Sequence, residues 1–132
     1  MGSVAYLLDT HVFLWAVQED SKLSFNARNA IENTEALLYV SAISAFEITN
    51  KHRIGKLPEY TFVVENYLNI IQKLGAAELP VNTKHAQFAG KFEWPHRDPF
   101  DRVLAAQAFS DNLILITNDS VFQSLTWLNI LW

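Results

Sequence analysis

Three short apolar runs limit the folds open to this chain. They are Val4-Ala5-Tyr6-Leu7-Leu8, Ala36-Leu37-Leu38-Tyr39-Val40 and Leu113-Ile114-Leu115-Ile116-Thr117. None alternates apolar with polar residues, so neither face of such a strand suits water. Strands of this kind are buried on both faces, which is the condition of a parallel sheet covered by helices.

The segments between them carry helical signals. A helical stretch follows Asp9, with Phe13, Leu14 and Val17 apolar. Ser24 can cap a second helix running to about residue 33, with Ala27, Ala30 and Ile31 on one face. Ser44 opens a helix through about residue 53, and Gly55 stops it. Residues 60–74 are expected to form one amphipathic helix closed by Gly75. Thr83 can cap a helix through residue 92, and residues 99–110 form another. Residues 77–79 make a weak strand cut off by Pro80. A short helix near residues 121–125 precedes a last strand at 127–131. Strands alternate with helices throughout. The expected fold class is therefore α/β, a three-layer α/β/α arrangement with a mainly parallel sheet of about five strands.

Composition narrows the function classes. The 132 residues suit one domain spanning 1–132. Half are hydrophobic and only 18% are charged, too apolar a mixture for a disordered chain. No apolar run approaches the ~20 residues that span a bilayer. The amino terminus leads directly into a strand, so no signal peptide is expected, and a cytoplasmic location is the default. Cysteine is absent, which excludes disulfides and thiolate metal sites. The net charge of -4 argues against a generic nucleic-acid binder, and an acidic metal site would account for much of it.

Four of the 14 acidic residues are placed unusually. Asp9 ends the first strand, and Asp119 follows the 113–117 strand after one residue. Glu47 is expected in the first turn of the 44–53 helix, and Asp101 in the first turn of the 99–110 helix. All four would meet at the carboxyl-end edge of the sheet, where α/β proteins bind ligands. Carboxylates gathered in this way suit hard cations such as Mg²⁺ or Mn²⁺. Such a cation lowers the pKa of a bound water and offsets the charge developing on a phosphodiester. Without it, the converging carboxylates would raise one another's pKa. Each acid also has a local structural role open to it. Asp9 can cap a helix, and Ser44-Ala45-Phe46-Glu47 forms a capping box. Asp98-Pro99-Phe100-Asp101 fits an N-cap followed by Pro at N1, and Asn118-Asp119-Ser120 fits a turn. The two kinds of role are compatible, because helix N-termini also steer carboxylates into place.

At these residues the chain resembles the PIN-domain nucleases, in particular the VapC-like toxins of type II toxin–antitoxin pairs. The matching segments are Leu7-Leu8-Asp9-Thr10-His11 with Leu14-Trp15, Ser41-Ala42-Ile43-Ser44-Ala45-Phe46-Glu47-Ile48, and Gly55-Lys56-Leu57. His96-Arg97-Asp98-Pro99-Phe100-Asp101-Arg102 and Thr117-Asn118-Asp119 complete them, in order across nearly the whole chain. The resemblance implies a PIN fold and Mg²⁺- or Mn²⁺-dependent cleavage of RNA. It further implies a homodimer and a cognate antitoxin protein that inhibits the nuclease. Asp9, Glu47, Asp101 and Asp119 would be the catalytic and metal-binding acids. Asp98, Thr10, Thr117 and Asn118 would support them.

Arg97, Arg102, Lys51 and Lys56 are candidate contacts for the RNA backbone, since phosphate contacts give sequence-independent affinity. A solvated helix face is the plain alternative for Lys51 and Lys56. His11, His52, His85 and His96 lack metal-ligand spacing, although His11 and His96 flank the acids. Aromatic residues are 13% of the chain, mostly at helical core spacing, and the excess could cover a dimer or antitoxin interface. Three other readings compete. A haloacid-dehalogenase-like phosphatase needs an acid two residues after the first, where this chain has His11. A receiver domain needs an acid pair after the first strand. A non-enzymatic α/β binding module has no reason to place four acids at one sheet edge.

Overall fold

The computed structural model describes residues 3–132. Strand β1 (Ala5–Leu8) lies in the middle of a five-stranded sheet with β2 (Leu37–Ser41), β3 (Ala76–Leu79), β4 (Ile114–Ile116) and β5 (Ile130–Leu131). The order is β3-β2-β1-β4-β5, and every pairing is parallel. Helices fill the crossovers: α1 (Thr10–Gln18), α2 (Phe25–Glu32), α3 (Ala42–Arg53), α4 (Thr61–Glu65), α5 (Tyr67–Leu74), α6 (Thr83–Lys91) and α7 (Pro99–Ser110).

Alternate side chains of the inner strands feed two cores. Tyr6 and Leu8 of β1 and Ile116 of β4 pack with Val12, Phe13, Ile48, Val63 and Ile71 from α1, α3, α4 and α5. Leu7 and Leu115 point to the other face and meet Leu104, Ala105 and Ala108 of α7 together with Phe122. This period-2 division of wholly apolar strands produces the three layers. The chain winds from β1 to β3 in one direction and then crosses back to β4 on the other side of β1. The crevice at the carboxyl ends of β1 and β4 is therefore the switch point of the sheet.

Five local expectations are corrected. The N-cap of α3 is Ser41, whose hydroxyl accepts from Ile43 N–H at 3.0 Å, not Ser44. The Ser44–Glu47 capping box does not form, and Glu47 lies in the second turn. Residues 60–74 are not one helix: Asn66 (φ -125°, ψ 28°) leaves the helical conformation and separates α4 from α5. Asn82, not Thr83, caps α6, in a reciprocal box with His85. Of the last predicted strand only Ile130 and Leu131 pair, while Leu128 turns into the α7 core.

Candidate active site

Asp9 follows β1 directly, and its backbone N–H still donates to Ile116 O of β4 at 3.0 Å. The register thus fixes its carboxylate beside Thr117. Thr117 Oγ1 donates to Asp9 Oδ2 at 2.7 Å, and Thr10 N–H donates to Asp9 Oδ1 at 2.7 Å. Asp9 is both a helix cap and a buried, oriented carboxylate. Burial pushes its pKa above the ordinary value; hydrogen bonds from Thr117 and Thr10 and the charge of His11 oppose this, and the Glu47 charge adds to it.

Glu47 is brought to Asp9 by α3. The buried hydroxyls of Thr10 and Ser44 share a hydrogen bond of 2.9 Å, which ties the start of α1 to the first turn of α3. Glu47 is buried, and the Lys51 ammonium, one turn on, lies 2.5 Å from Glu47 Oε2. Burial alone would lower the Lys51 pKa. The hydrogen bond to Glu47 and the charges of Glu47, Asp98 and Asp101 outweigh it, and the net shift is upward.

Asp101 stands in the first turn of α7. Asp98 caps that helix, its Oδ1 accepting from Phe100 N–H at 2.8 Å and Asp101 N–H at 3.3 Å. Asp101 Oδ2 meets His96 Nε2 at 2.7 Å, and when Asp101 is ionised Nε2 is the donor. Burial lifts the Asp101 carboxyl to about 6; the His96 hydrogen bond opposes this, and the charges of Asp98 and Asp9 add to it. Like-charge repulsion was the expected cause of raised carboxyl pKa values here. Desolvation is the larger one at both Asp9 and Asp101.

Asp119 joins the group differently. Its N–H donates to Thr117 Oγ1 at 3.0 Å, so one hydroxyl serves both Asp9 and Asp119. The Asp119 side chain is exposed, and its Oδ1 caps the 3-10 turn Ser120–Ser124 by accepting from Val121 N–H at 3.0 Å. Asn118 is exposed at the same rim. Asp9, Glu47, Asp98 and Asp101 thus share one electrostatic field, with Asp119 attached to it through the backbone.

Two candidate RNA contacts, Arg102 and Lys51, are engaged within the fold. Arg102 Nε donates to Ala89 O at 2.7 Å, and Nη1 donates to Trp94 O at 3.1 Å and His96 O at 3.0 Å. Its Nη2 donates to Phe92 O, and the guanidinium covers the Phe92 ring. Arg102 is therefore a clamp on the 92–96 loop. Lys51 faces the acids and not an outer basic face, whereas Lys56 and Arg97 are exposed. His85 is structural: buried, it completes the α6 cap and meets Asp111 Oδ2 at 3.0 Å. Sequence reasoning missed the pairing of Thr10 with Ser44 and of His96 with Asp101. Only the second had a signal, in the position of His96 just ahead of the Asp98 cap.

The donor set fits a hard divalent cation. One ligand atom each from His96, Asp98 and Asp101 lies within 4.8 Å of the others, while Asp9 and Glu47 lie outside that trio and are linked to it through their charges. Carboxylate oxygens suit Mg²⁺ or Mn²⁺, and the one imidazole is compatible with Mn²⁺.

Residues 6–128 match the PIN domain family. This chain belongs to that family. The PIN domain assignment sets aside the phosphatase and receiver readings, which require other folds. The PIN domain is similar in structure to a chain of VapBC2 from Rickettsia felis bound to a DNA fragment from their promoter (TM-score 0.65, 17% identity, 97% of this chain and 98% of that chain). A chain of DNA-bound VapBC from Salmonella typhimurium gives a TM-score of 0.66 at 19% identity, covering 97% of each chain. VapBC-5 from Mycobacterium tuberculosis, a member of the VapBC family of toxin-antitoxin systems, gives 0.60 at 18% identity, covering 97% and 98%. At these identities the likeness is one of fold. No curated protein matches this PIN domain. Among the described residues, no helix is long and apolar enough to cross a membrane.

Proposed function

We propose that this PIN domain is a metal-dependent endoribonuclease and the toxin of a toxin–antitoxin pair. The observation that carries the reading is the electrostatic coupling of Asp9 to Glu47 and Asp101 at the carboxyl edge of the sheet, where burial works against the ionised forms of Asp9 and Asp101. Asp9, Glu47 and Asp101 would hold Mg²⁺ or Mn²⁺, with Asp119 at the exposed rim and Asp98 setting the start of α7. The bound cation supplies a more acidic water and positive charge at the scissile phosphate. Thr117 and Thr10 orient Asp9, and His96 orients Asp101. Asn118 sits where it can support Asp119. Arg97 and Lys56, both exposed, would meet the RNA backbone. A cytoplasmic location goes with an RNA substrate.

The solved VapBC structures of similar fold contain toxin–antitoxin assemblies, which supports a cognate antitoxin here. Phe25, Phe46, Phe62 and Leu68 are large exposed apolar side chains, suited to a homodimer or antitoxin interface. Cleavage of a mixed RNA substrate by the purified protein tests the reading. Activity is expected with Mn²⁺ or Mg²⁺ and not with EDTA, and is expected to fall at least ~100-fold in Asp9→Asn, Glu47→Gln and Asp101→Asn. Asp98→Asn should cost less. Equal activity in EDTA would remove the metal-dependent mechanism.

A further inference from the structure

The Lys51 ammonium does inside the acid cluster what a cation would do. It lies 2.5 Å from Glu47 Oε2, with its side chain 28% exposed against 6% for Glu47. Asp98 and Asp101, which arrive from the start of α7, add their attraction to that of Glu47. One ammonium therefore answers three carboxylates contributed by two helices. We propose that Lys51 is the resident counter-ion of the acid site: it holds Glu47 until a divalent cation takes over the carboxylates, and it is then displaced toward the mouth of the site, where it pairs with a phosphate oxygen of the substrate. The inference rests on the metal-dependent reading above.

The exchange follows from charge and reach. Mg²⁺ sits about 2.0–2.1 Å from its carboxylate oxygens, so on Glu47 Oε2 it would stand within a few ångströms of an ammonium that lies 2.5 Å from the same oxygen. A cation on the other Glu47 oxygen would still leave a double positive charge within a few ångströms of Nζ, in a half-buried setting of low screening. The same cation cancels the pull of Asp98 and Asp101, so the forces holding the ammonium inside reverse sign. Lys51 sits near the carboxyl end of α3 on a flexible four-carbon stem, and its head group can swing outward with no change in the helix. A phosphodiester arriving at the metal offers the next anionic oxygen within that reach.

Amine reactivity tests the displacement directly, without RNA. The full chain is acetylated lightly with an N-hydroxysuccinimide ester, and modification at Lys51 is compared by mass spectrometry with that at exposed Lys56. In EDTA, Lys51 should react about tenfold more slowly than Lys56, because its nitrogen is engaged by the Glu47 carboxylate in a charge-assisted hydrogen bond while Lys56 is open to solvent. With saturating Mn²⁺ the two rates should come within about twofold of each other, because the hydrogen bond that protects Lys51 is then lost. Glu47→Gln should show the fast Lys51 rate already in EDTA. Calorimetric titration gives the reciprocal view: Lys51→Met should bind Mn²⁺ about tenfold more tightly than the natural chain, and Lys51→Arg should not. If Mn²⁺ binds and Lys51 stays protected, or Lys51→Met binds no more tightly, Lys51 is a permanent partner of Glu47 and the inference fails while the metal site stands. If neither the natural chain nor Lys51→Met binds Mn²⁺, the metal-dependent reading falls and this inference falls with it.

Discussion

Replacing Asp101 by Asn should stabilise the metal-free protein near neutral pH while abolishing RNA cleavage. In the folded chain the Asp101 carboxyl titrates at about 6, against an ordinary value of 3.8. At ~1.4 kcal/mol per pKa unit, its ionised form costs the metal-free fold at most about 3 kcal/mol. The side chain is 15% exposed, so solvent screens part of that cost. An ionised acid in the first turn of α7 also gains from the helix dipole, and Asn gives up that gain. Both corrections bring the net benefit of Asp101→Asn to about 1.5 kcal/mol, or about 4 °C for a domain of this size. Asn keeps an oxygen that accepts from His96 Nε2, so the neighbouring loop stays anchored. The sign of the pH dependence follows from proton counts. Between the unfolded and folded pKa values the folded state holds the proton more firmly, so stability falls as pH rises through that window and is flat above it. Asn cannot titrate. The difference in melting temperature should therefore be largest above about pH 6.5 and close toward about pH 4. Thermal melts of both proteins in EDTA across that range measure it. A variant that melts lower than the natural chain at pH 7.5, or a difference that does not change with pH, would refute the account of Asp101 as a desolvated carboxylate.

Thr117→Val should cost about 1–3 kcal/mol in urea unfolding and lower cleavage sharply, because a buried Asp9 oxygen loses its donor and Asp119 N–H loses its acceptor. Thr117→Ser should restore most of both, and equal behaviour of the Val and Ser variants would count against a role for the hydroxyl. Arg102→Met should destabilise the fold by about 2 kcal/mol or more and open the 92–96 loop to proteases, since four carbonyls lose a donor. The salt dependence of RNA binding should keep its slope in that variant; a shallower slope would return Arg102 to phosphate contact. Light scattering at micromolar concentration should give a dimer, in keeping with exposed Phe25, Phe46, Phe62 and Leu68, and a clean monomer would remove the homodimer from the proposal.

By itself, the sequence determined the features that depend on near neighbours along the chain. Strands apolar on both faces could only be buried in a covered parallel sheet, and β1, β2 and β4 are so placed. The position of Asp9 directly after β1 put it at the carboxyl edge, and Asp98-Pro99 marked the start of α7. Wherever two local signals were equally good, tertiary structure chose between them. Ser41 and Ser44 can both cap a helix, but Ser44 is withdrawn into the interior by Thr10, 34 residues away, so the cap moves to Ser41 and Glu47 moves into the second turn. Residues 60–74 keep one helical period on paper, yet the chain turns at Asn66 so that Val63 and Ile71 can reach the same core. The charge of Arg102 suggested RNA, but its neighbours across the fold are the carbonyls of Ala89, Phe92, Trp94 and His96. Lys51 could have faced water, but α7 brings Asp98 and Asp101 to it. Caps, periodicity and turn chemistry act over a few residues and leave their mark in the sequence. The partners of a buried polar group lie wherever the packing of distant elements brings them, and only the folded chain fixes which they are.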